Sequence, residues 1–443
     1  IMNISIHNYI DKFFIAGIVL ILFSSDRNLL VTHYILGGPE NISVITIPFM
    51  MLTLIFLFYI LAMRGRLTIR HSHRRIIVVS IFLSLYFVAH EFIFGDGLTS
   101  LKYAIFIFII ILSLMIRYNA FYIFKILGYL GGFVSFIIVL QQILLLGIEG
   151  GDLSRFEVAI PGDEWARWHG CDFVNPYGLG LMERCIWGYD VKITEFTINR
   201  SLFFTTEPKY LSSLLLITFS SLLLSKTNSL ARSFFLIMHI LAIIFSASAT
   251  AFAALLVSLV LIYFKFIGPK LYSTFIFMLP IFVLPIVFYL LIELAGIDGF
   301  LLNRLVSAYS SMGEGEMRTF TVLGQSIGAC DKEMCKEVGL LGNVTQIYGI
   351  VGFGLMWIFL YFAIKPLFQL IKRTEIDIST KFGLCTLLNT YVFFNIYFFG
   401  DIFNMFGLLI LIAIISLPDY INAQKLVLST SKSLDYNRIE PAS

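Results

Sequence analysis

The feature that most constrains this chain is a succession of uninterrupted apolar runs, each about as long as a bilayer is thick. A spanning helix needs about 20 predominantly apolar residues. Such runs lie near 43–63, 76–94, 101–116, 121–146, 208–225, 234–247, 250–264, 271–296, 341–364, 382–399 and 402–417, after a first one that includes 13–23. That first run has one Lys ahead of it and no small-residue cleavage site behind it, so it reads as a span rather than a secretory signal. The chain is 58% hydrophobic and 13% charged, against roughly 45–50% and roughly 25% for soluble globular chains. This balance excludes a water-soluble enzyme, a disordered chain and a nucleic-acid-binding module. The runs are continuous, whereas a membrane β-barrel would alternate over ~10-residue segments. The expected fold class is an all-α polytopic membrane protein of about 12 transmembrane helices.

Charge sorting orients the helices. Segment 64–75, between spans 2 and 3, holds five Arg and two His, and basic loops stay in the cytoplasm. Alternation from that loop puts well over half of the 31 Lys and Arg on the cytoplasmic side, with under a quarter of the 28 Asp and Glu. Both termini are then cytoplasmic. The parity depends on 234–264 forming two short spans around Ser246, Ser248 and Thr250. A single long helix would expel the Lys-rich 365–381 loop, against the charge rule.

The expected organisation is helices 1–5 over 1–146, a long outer loop over 147–207, helices 6–9 over 208–296, a second outer loop over 297–340, helices 10–12 over 341–418, and a cytoplasmic tail over 419–443. Outer loops this long are expected to hold short helices and function. They carry four of the five cysteines, Cys171, Cys185, Cys330 and Cys335. Cysteines in an oxidising compartment favour disulfides. Pairing of Cys171 with Cys185 and of Cys330 with Cys335 leads the three possible patterns. The spacing does not suit zinc, and no metal or cofactor is expected.

Two segments carry the candidate chemistry. In 199–213, Pro208 suits the first turn of a helix, which sets Glu207 at the positive end of that helix's dipole. Arg200 lies on the approach, and Lys209 and Tyr210 follow. In 303–346, Arg304 and Arg318 are outer cations, and Asn343, Gly349 and Gly352 mark the entry to span 10. Guanidinium groups suit bidentate recognition of phosphate. Glu91, at the outer end of span 3, either lines the same cavity or caps its helix. His239 reads as an interhelical contact before a proton relay. Gly128, Gly131 and Gly132 either allow close helix packing or leave a groove for a lipid chain.

The order of these motifs resembles the O-antigen polymerase (Wzy) and O-antigen ligase superfamily. It runs from Arg200 and Glu207-Pro208 before a span, through the Ser246, Ser248, Thr250 break, to an Arg in the second outer loop and the Asn343, Gly349, Gly352 entry. The likeness covers about 195–365. It implies a membrane glycosyltransferase of GT-C type in a bacterial inner membrane, with a periplasmic active site and no metal. Its ligand would be an undecaprenyl-pyrophosphate-linked oligosaccharide, with membrane lipids and a chain-length regulator as further partners and no nucleic acid. By this resemblance Arg200 matches the first diphosphate-binding arginine and Arg318 the second, with Arg304 its rival. Glu-Pro at 207–208 is similar to the polymerases. Ligases tend to have Asn-Pro-Asn there, and a His where this chain has Gly342.

The chemistry agrees. As a glycosyl–diphosphate bond breaks, charge grows on the leaving group, and fixed Arg donors stabilise it more in the transition state than before it. An acceptor hydroxyl must lose a proton, which a carboxylate can take. Arg200, Glu207 and Arg318 are thus the expected catalytic residues, with Glu207 as base or as the partner that orients Arg200. Lys209, Tyr210, Arg304, Asn343 and Glu91 are the expected substrate-binding residues. The competing readings are a ligase that moves finished glycan onto a lipid A core, and a transporter of lipid-linked sugars.

Overall fold

The computed structural model of the chain describes residues 73–94, 103–111 apart from 106, 120–146, three strands between 171 and 203, 208–225, 230–278 apart from 247 and 265–266, 347–398 and parts of 410–421, with Leu179 and Leu323 beside them. Spans 1 and 2 lie outside the described residues. So do Glu207, Arg304, Arg318, Cys330, Cys335 and Asn343.

The principal elements are α1 (Arg74–Phe94), α2 (Ala120–Leu146), β1 (Cys171–Val174), β2 (Leu181–Trp187), β3 (Phe196–Phe203), α3 (Pro208–Leu224), α4 (Leu230–Phe245), α5 (Ala249–Tyr263), α6 (Pro269–Met278), α7 (Gly349–Ile371) and α8 (Ile378–Thr390). A π-helical segment, Tyr391–Phe398, continues α8. Among the described residues, three helices are long and apolar enough to cross a membrane: α1, the Ile126–Leu144 part of α2, and α7. The apolar parts of α3, α4 and α5 are shorter.

The apolar runs become helices because a helix satisfies its own backbone, which an apolar medium requires. Their hydroxyls follow the same rule. Ser135, Ser220, Ser221, Ser258 and Thr390 each donate to the carbonyl four residues back. A helix can therefore bury these polar side chains without seeking a partner elsewhere.

Helices α2 and α3 pack backbone to backbone. A Cβ on Gly128 would lie 2.8 Å from Leu222 N, and one on Gly131 would overlap the Thr218 side chain. A Cβ on Gly132 would lie 2.5 Å from Phe235 Cγ of α4. The three glycines thus serve close packing, and protein atoms fill the space a groove would need. Thr218 also meets His239 of α4, Oγ1 to Nε2 at 3.0 Å, while His239 Nδ1 donates to the Phe235 carbonyl at 2.8 Å. Both ring nitrogens are engaged, as an interhelical contact requires.

The ends of the helices are sorted. His90 Nε2, late in α1, donates to the Ile347 carbonyl at 2.7 Å, so α1 ends where α7 begins. Arg74 and Arg75 therefore share the opposite end with Lys372 and Arg373. Arg232, opening α4, donates to the Leu222 and Leu223 carbonyls that end α3. Gly383, early in α8, sits against Ser220, Leu223 and Leu224. Gly268, just after α5, faces Lys372. One end of the bundle thus gathers Arg74, Arg75, Arg232, Lys372, Arg373 and Lys381, and is called the basic end below.

Since α4 begins and α5 finishes at the basic end, the two form a hairpin whose tip is Ser246–Ser248. This is the two-helix arrangement that the charge rule requires of 234–264. At 1.5 Å per residue the 16 residues of α4 and 15 of α5 measure about 24 and 22 Å, less than a hydrocarbon layer of ~30 Å.

Two expectations need correction. The described residues of 147–207 form a three-stranded antiparallel sheet in the order β1-β2-β3, where short helices were expected. The local sequence explains it: Phe196–Phe203 intersperses Phe, Thr and Ile with polar residues, which suits a pleated surface. The second correction is to 365–381. Helix α7 carries on to Ile371 through Pro366, because Leu367, Phe368, Leu370 and Ile371 are buried. Only 372–377 connects it to α8, whose start is capped by Asp377 accepting from Thr380 N at 2.9 Å.

Candidate functional site

The described candidate positions, Arg200, Lys209, Tyr210 and Glu91, belong to elements at the end of the bundle opposite the basic end. Pro208 opens α3, so Glu207 immediately precedes a helix. Lys209 and Tyr210 fall in its first turn, and the Tyr210 carbonyl accepts from Ser213 Oγ at 2.9 Å.

Arg200 belongs to β3, and the register of the sheet gives it a neighbour that sequence reasoning missed. Glu183 of β2 is its Cα partner. Opposed residues of antiparallel strands share one face of the sheet. Leu181–Trp187 (LMERCIW) does not alternate apolar and polar residues, so the local sequence carried no strand signal to find Glu183 by. The same register makes Cys171 and Cys185 Cα partners. Opposed antiparallel residues have Cα atoms roughly 4.5–5.5 Å apart, within the roughly 4.4–6.8 Å that a disulfide spans. Cys385 is free and buried in α8.

Strand β3 is tied to the helices at its far end. Ser201 is fully buried, and Gln142 Nε2, near the end of α2, donates to its hydroxyl at 3.1 Å. Phe203, the last strand residue, has φ 55°, left-handed for a residue with a side chain. Such backbone costs of order 1–3 kcal/mol and persists where packing over-determines it. Phe203 packs in one buried cluster with Leu211 of α3, Ala242 and Ile243 of α4, Ala251 and Ala254 of α5, and Phe394 of the π-helical segment. Alternation along a strand sets positions 199 and 201 on one face and 198 and 200 on the other. Position 200 therefore shares a sheet face with Glu183, Cys171 and Cys185.

A second group forms where α1 meets α7. The Tyr86 hydroxyl donates to the Tyr348 carbonyl at 2.6 Å and lies 2.9 Å from that of Leu323. Leu323 belongs to the second long loop, so Tyr86 ties that loop to the start of α7. His90, Phe87 and Tyr348 stack around the contact. Glu91 is half-buried in the last turn of α1, where a carboxylate cannot donate to the free helix carbonyls and so is no cap. Gly349 has φ 62°, and a Cβ on Gly352 would strike Tyr348 and Tyr86. These two glycines of the span-10 entry serve a turn and a close contact.

Fold and charge sorting define a helical membrane protein with a small sheet at the end of its helices away from the basic cluster. No protein family, curated protein or solved structure matches the chain.

Proposed function

We propose that the chain is a polysaccharide polymerase of the O-antigen polymerase kind, with twelve spans and a GT-C-like plan. It joins polyprenyl-pyrophosphate-linked repeat units at the periplasmic face of a bacterial inner membrane by inverting, metal-independent transfer. The observation that carries this reading is the anchoring of β3. The strand that bears Arg200 ends in Phe203, which belongs to one buried cluster with residues of α3, α4 and α5. A cation on a strand held in this way can meet a charged headgroup whose lipid tail remains in the bilayer. In the sequence Glu207 directly precedes Pro208, which opens α3. Arg200 stabilises the departing diphosphate, with Arg318 as the second guanidinium. Glu207 takes the acceptor's proton or orients Arg200, and Glu183 is a further carboxylate for the orienting role.

The test is reconstitution. Purified protein supplied with undecaprenyl-pyrophosphate-linked repeats should build a ladder of products. Arg200→Ala should abolish the ladder while the protein melts at the wild-type temperature. An undiminished ladder would remove Arg200 from the mechanism. A single transfer to a lipid A core, with no ladder from repeats alone, would identify a ligase. Movement of the lipid-linked sugar across liposomes without new glycosidic bonds would identify a transporter.

A further inference from the structure

Exposed cations and exposed apolar side chains meet at the basic end. Helix α5 finishes there at Tyr263, and the chain turns back into α6 at Pro269. This turn is seated on the last turns of α7. The rings of Tyr272 in α6 and Phe368 in α7 have centroids 5.1 Å apart, and a Cβ on Gly268 would lie 3.8 Å from Lys372 Nζ. Lys270, two residues after Gly268, and Lys372 are both exposed. Arg74 and Arg75, at the start of α1, are exposed as well, and α1 packs along α7. Among the described residues two carboxylates share this end, Glu375 and Asp377, and Asp377 is engaged in capping α8. The balance of this surface is positive.

The cations do not stand in a polar surface. Leu271, next to Lys270, is 52% exposed, and Tyr263 and Phe264, on the other side of the turn, are 77% and 48% exposed. Val78, one turn into α1 from Arg74, is 51% exposed. A soluble polyanion would neutralise the charges and leave these apolar side chains in water. A phospholipid satisfies both halves: its phosphate meets the cations, and its acyl chains cover the apolar groups beside them. Lysine and arginine suit this boundary, because their apolar stems lie along hydrocarbon while their charges reach the head groups. Tyrosine is enriched at the same level. Net charge then selects among phospholipids. A zwitterionic head group carries a cation of its own, which the basic residues repel, whereas a net anionic head group gains from each of them.

We propose that the α5–α6 turn and the adjoining end of α7 form a binding site for an anionic phospholipid. Lys270 and Lys372 hold the phosphate, Leu271 and Tyr263 lie along the acyl chains, and Arg74 and Arg75 add to the positive field. The site is at the opposite end of the helices from β3 and is independent of the polymerase reading.

The experiment titrates full-length protein in a non-ionic detergent with phosphatidylglycerol, phosphatidylcholine or polyglutamate, and reads the ligand-induced rise in melting temperature. Phosphatidylglycerol should stabilise the protein saturably, and less so as salt is raised. Phosphatidylcholine should act more weakly and polyglutamate not at all. The double variant Lys270→Gln/Lys372→Gln changes two exposed side chains, so the lipid-free protein should keep its melting temperature. Its affinity for phosphatidylglycerol should fall about tenfold or more, as the loss of two cations near a head group requires. Lys270→Arg/Lys372→Arg, which keeps both charges, should bind as wild type. Leu271→Ser, which alters the apolar half without touching charge, should weaken phosphatidylglycerol binding too, and serves if the glutamine variant does not fold. Unchanged affinity in the glutamine or serine variant, an equal loss in the arginine variant, or an equal response to the two lipids would each overturn the proposal. Stabilisation by polyglutamate that matches phosphatidylglycerol would overturn it as well, and would make the patch a site for an acidic polymer.

Discussion

At the scale of single residues, the helix contacts rest on atoms that are absent as much as on those present. Gly131 has no room for a methyl group beside Thr218, while a Cβ on Gly354 would meet nothing within 4 Å. Gly131→Ala should therefore destabilise the detergent-solubilised protein by about 1–3 kcal/mol, the usual cost of overpacking. Gly354→Ala should be neutral or better, since alanine favours a helix by about 1 kcal/mol over glycine. Thermal melts of the two variants check this, and equal melting temperatures would sink it. The triplet at 128, 131 and 132 was legible as a close-packing signal or a lipid groove, and sequence could not choose between them. The choice needed Thr218, Leu222 and Phe235, which come from helices some ninety residues further along. His239 was legible as a contact because a buried imidazole must find partners, but Thr218 as the partner was not.

At the scale of elements, the sheet is what sequence missed. Segment 171–203 is short, polar and interrupted, and its strands owe their form to each other more than to local propensity. The spacing of Cys171 and Cys185 suggested a pair; the register supplies a reason, since the two are opposed residues of β1 and β2. The expected outcome is a Cys171–Cys185 disulfide in protein from an oxidising compartment. Peptide mapping without reductant should recover the two cysteines in one crosslinked species, and Cys385 as a free thiol. Two alkylated free cysteines at 171 and 185 would refute it. The hairpin of α4 and α5 shows the opposite case. The break at Ser246–Ser248 was legible, and so was the need for two helices, because the basic 365–381 segment constrained the parity. What stayed hidden was that the Ser246 hydroxyl closes α4 by donating to the Ile243 carbonyl.

At the scale of the whole molecule, the sorting of basic residues to one end of the helices is the link between sequence and orientation. Thr374 is exposed in the connection between α7 and α8, at the basic end, and Leu323 lies by the start of α7 at the other end. In a background with the native cysteines replaced by serine, a membrane-impermeant maleimide should label Leu323→Cys from the periplasmic side. Thr374→Cys should react only after the membrane is opened. The reverse pattern would invert the orientation and remove the periplasmic site with it. Within the candidate site, Arg200, Glu207, Lys209 and Tyr210 were legible as a group because they are near neighbours in sequence on the approach to one helix. Glu183, Gln142 and Phe203 were not, because their bearing on Arg200 depends on strand register and on a helix contact.

The sequence by itself determined that this chain is a bundle of apolar helices, where those helices break, and which ends carry the positive charge. Each of these follows from transfer energies that act residue by residue along a contiguous run. Only the tertiary structure decided that a small sheet stands at the far end, that Glu183 is opposite Arg200, and that Thr218 leaves no room for a side chain at Gly131. Those facts depend on distances between segments remote in the chain, and no local pattern of hydropathy or charge encodes such a distance.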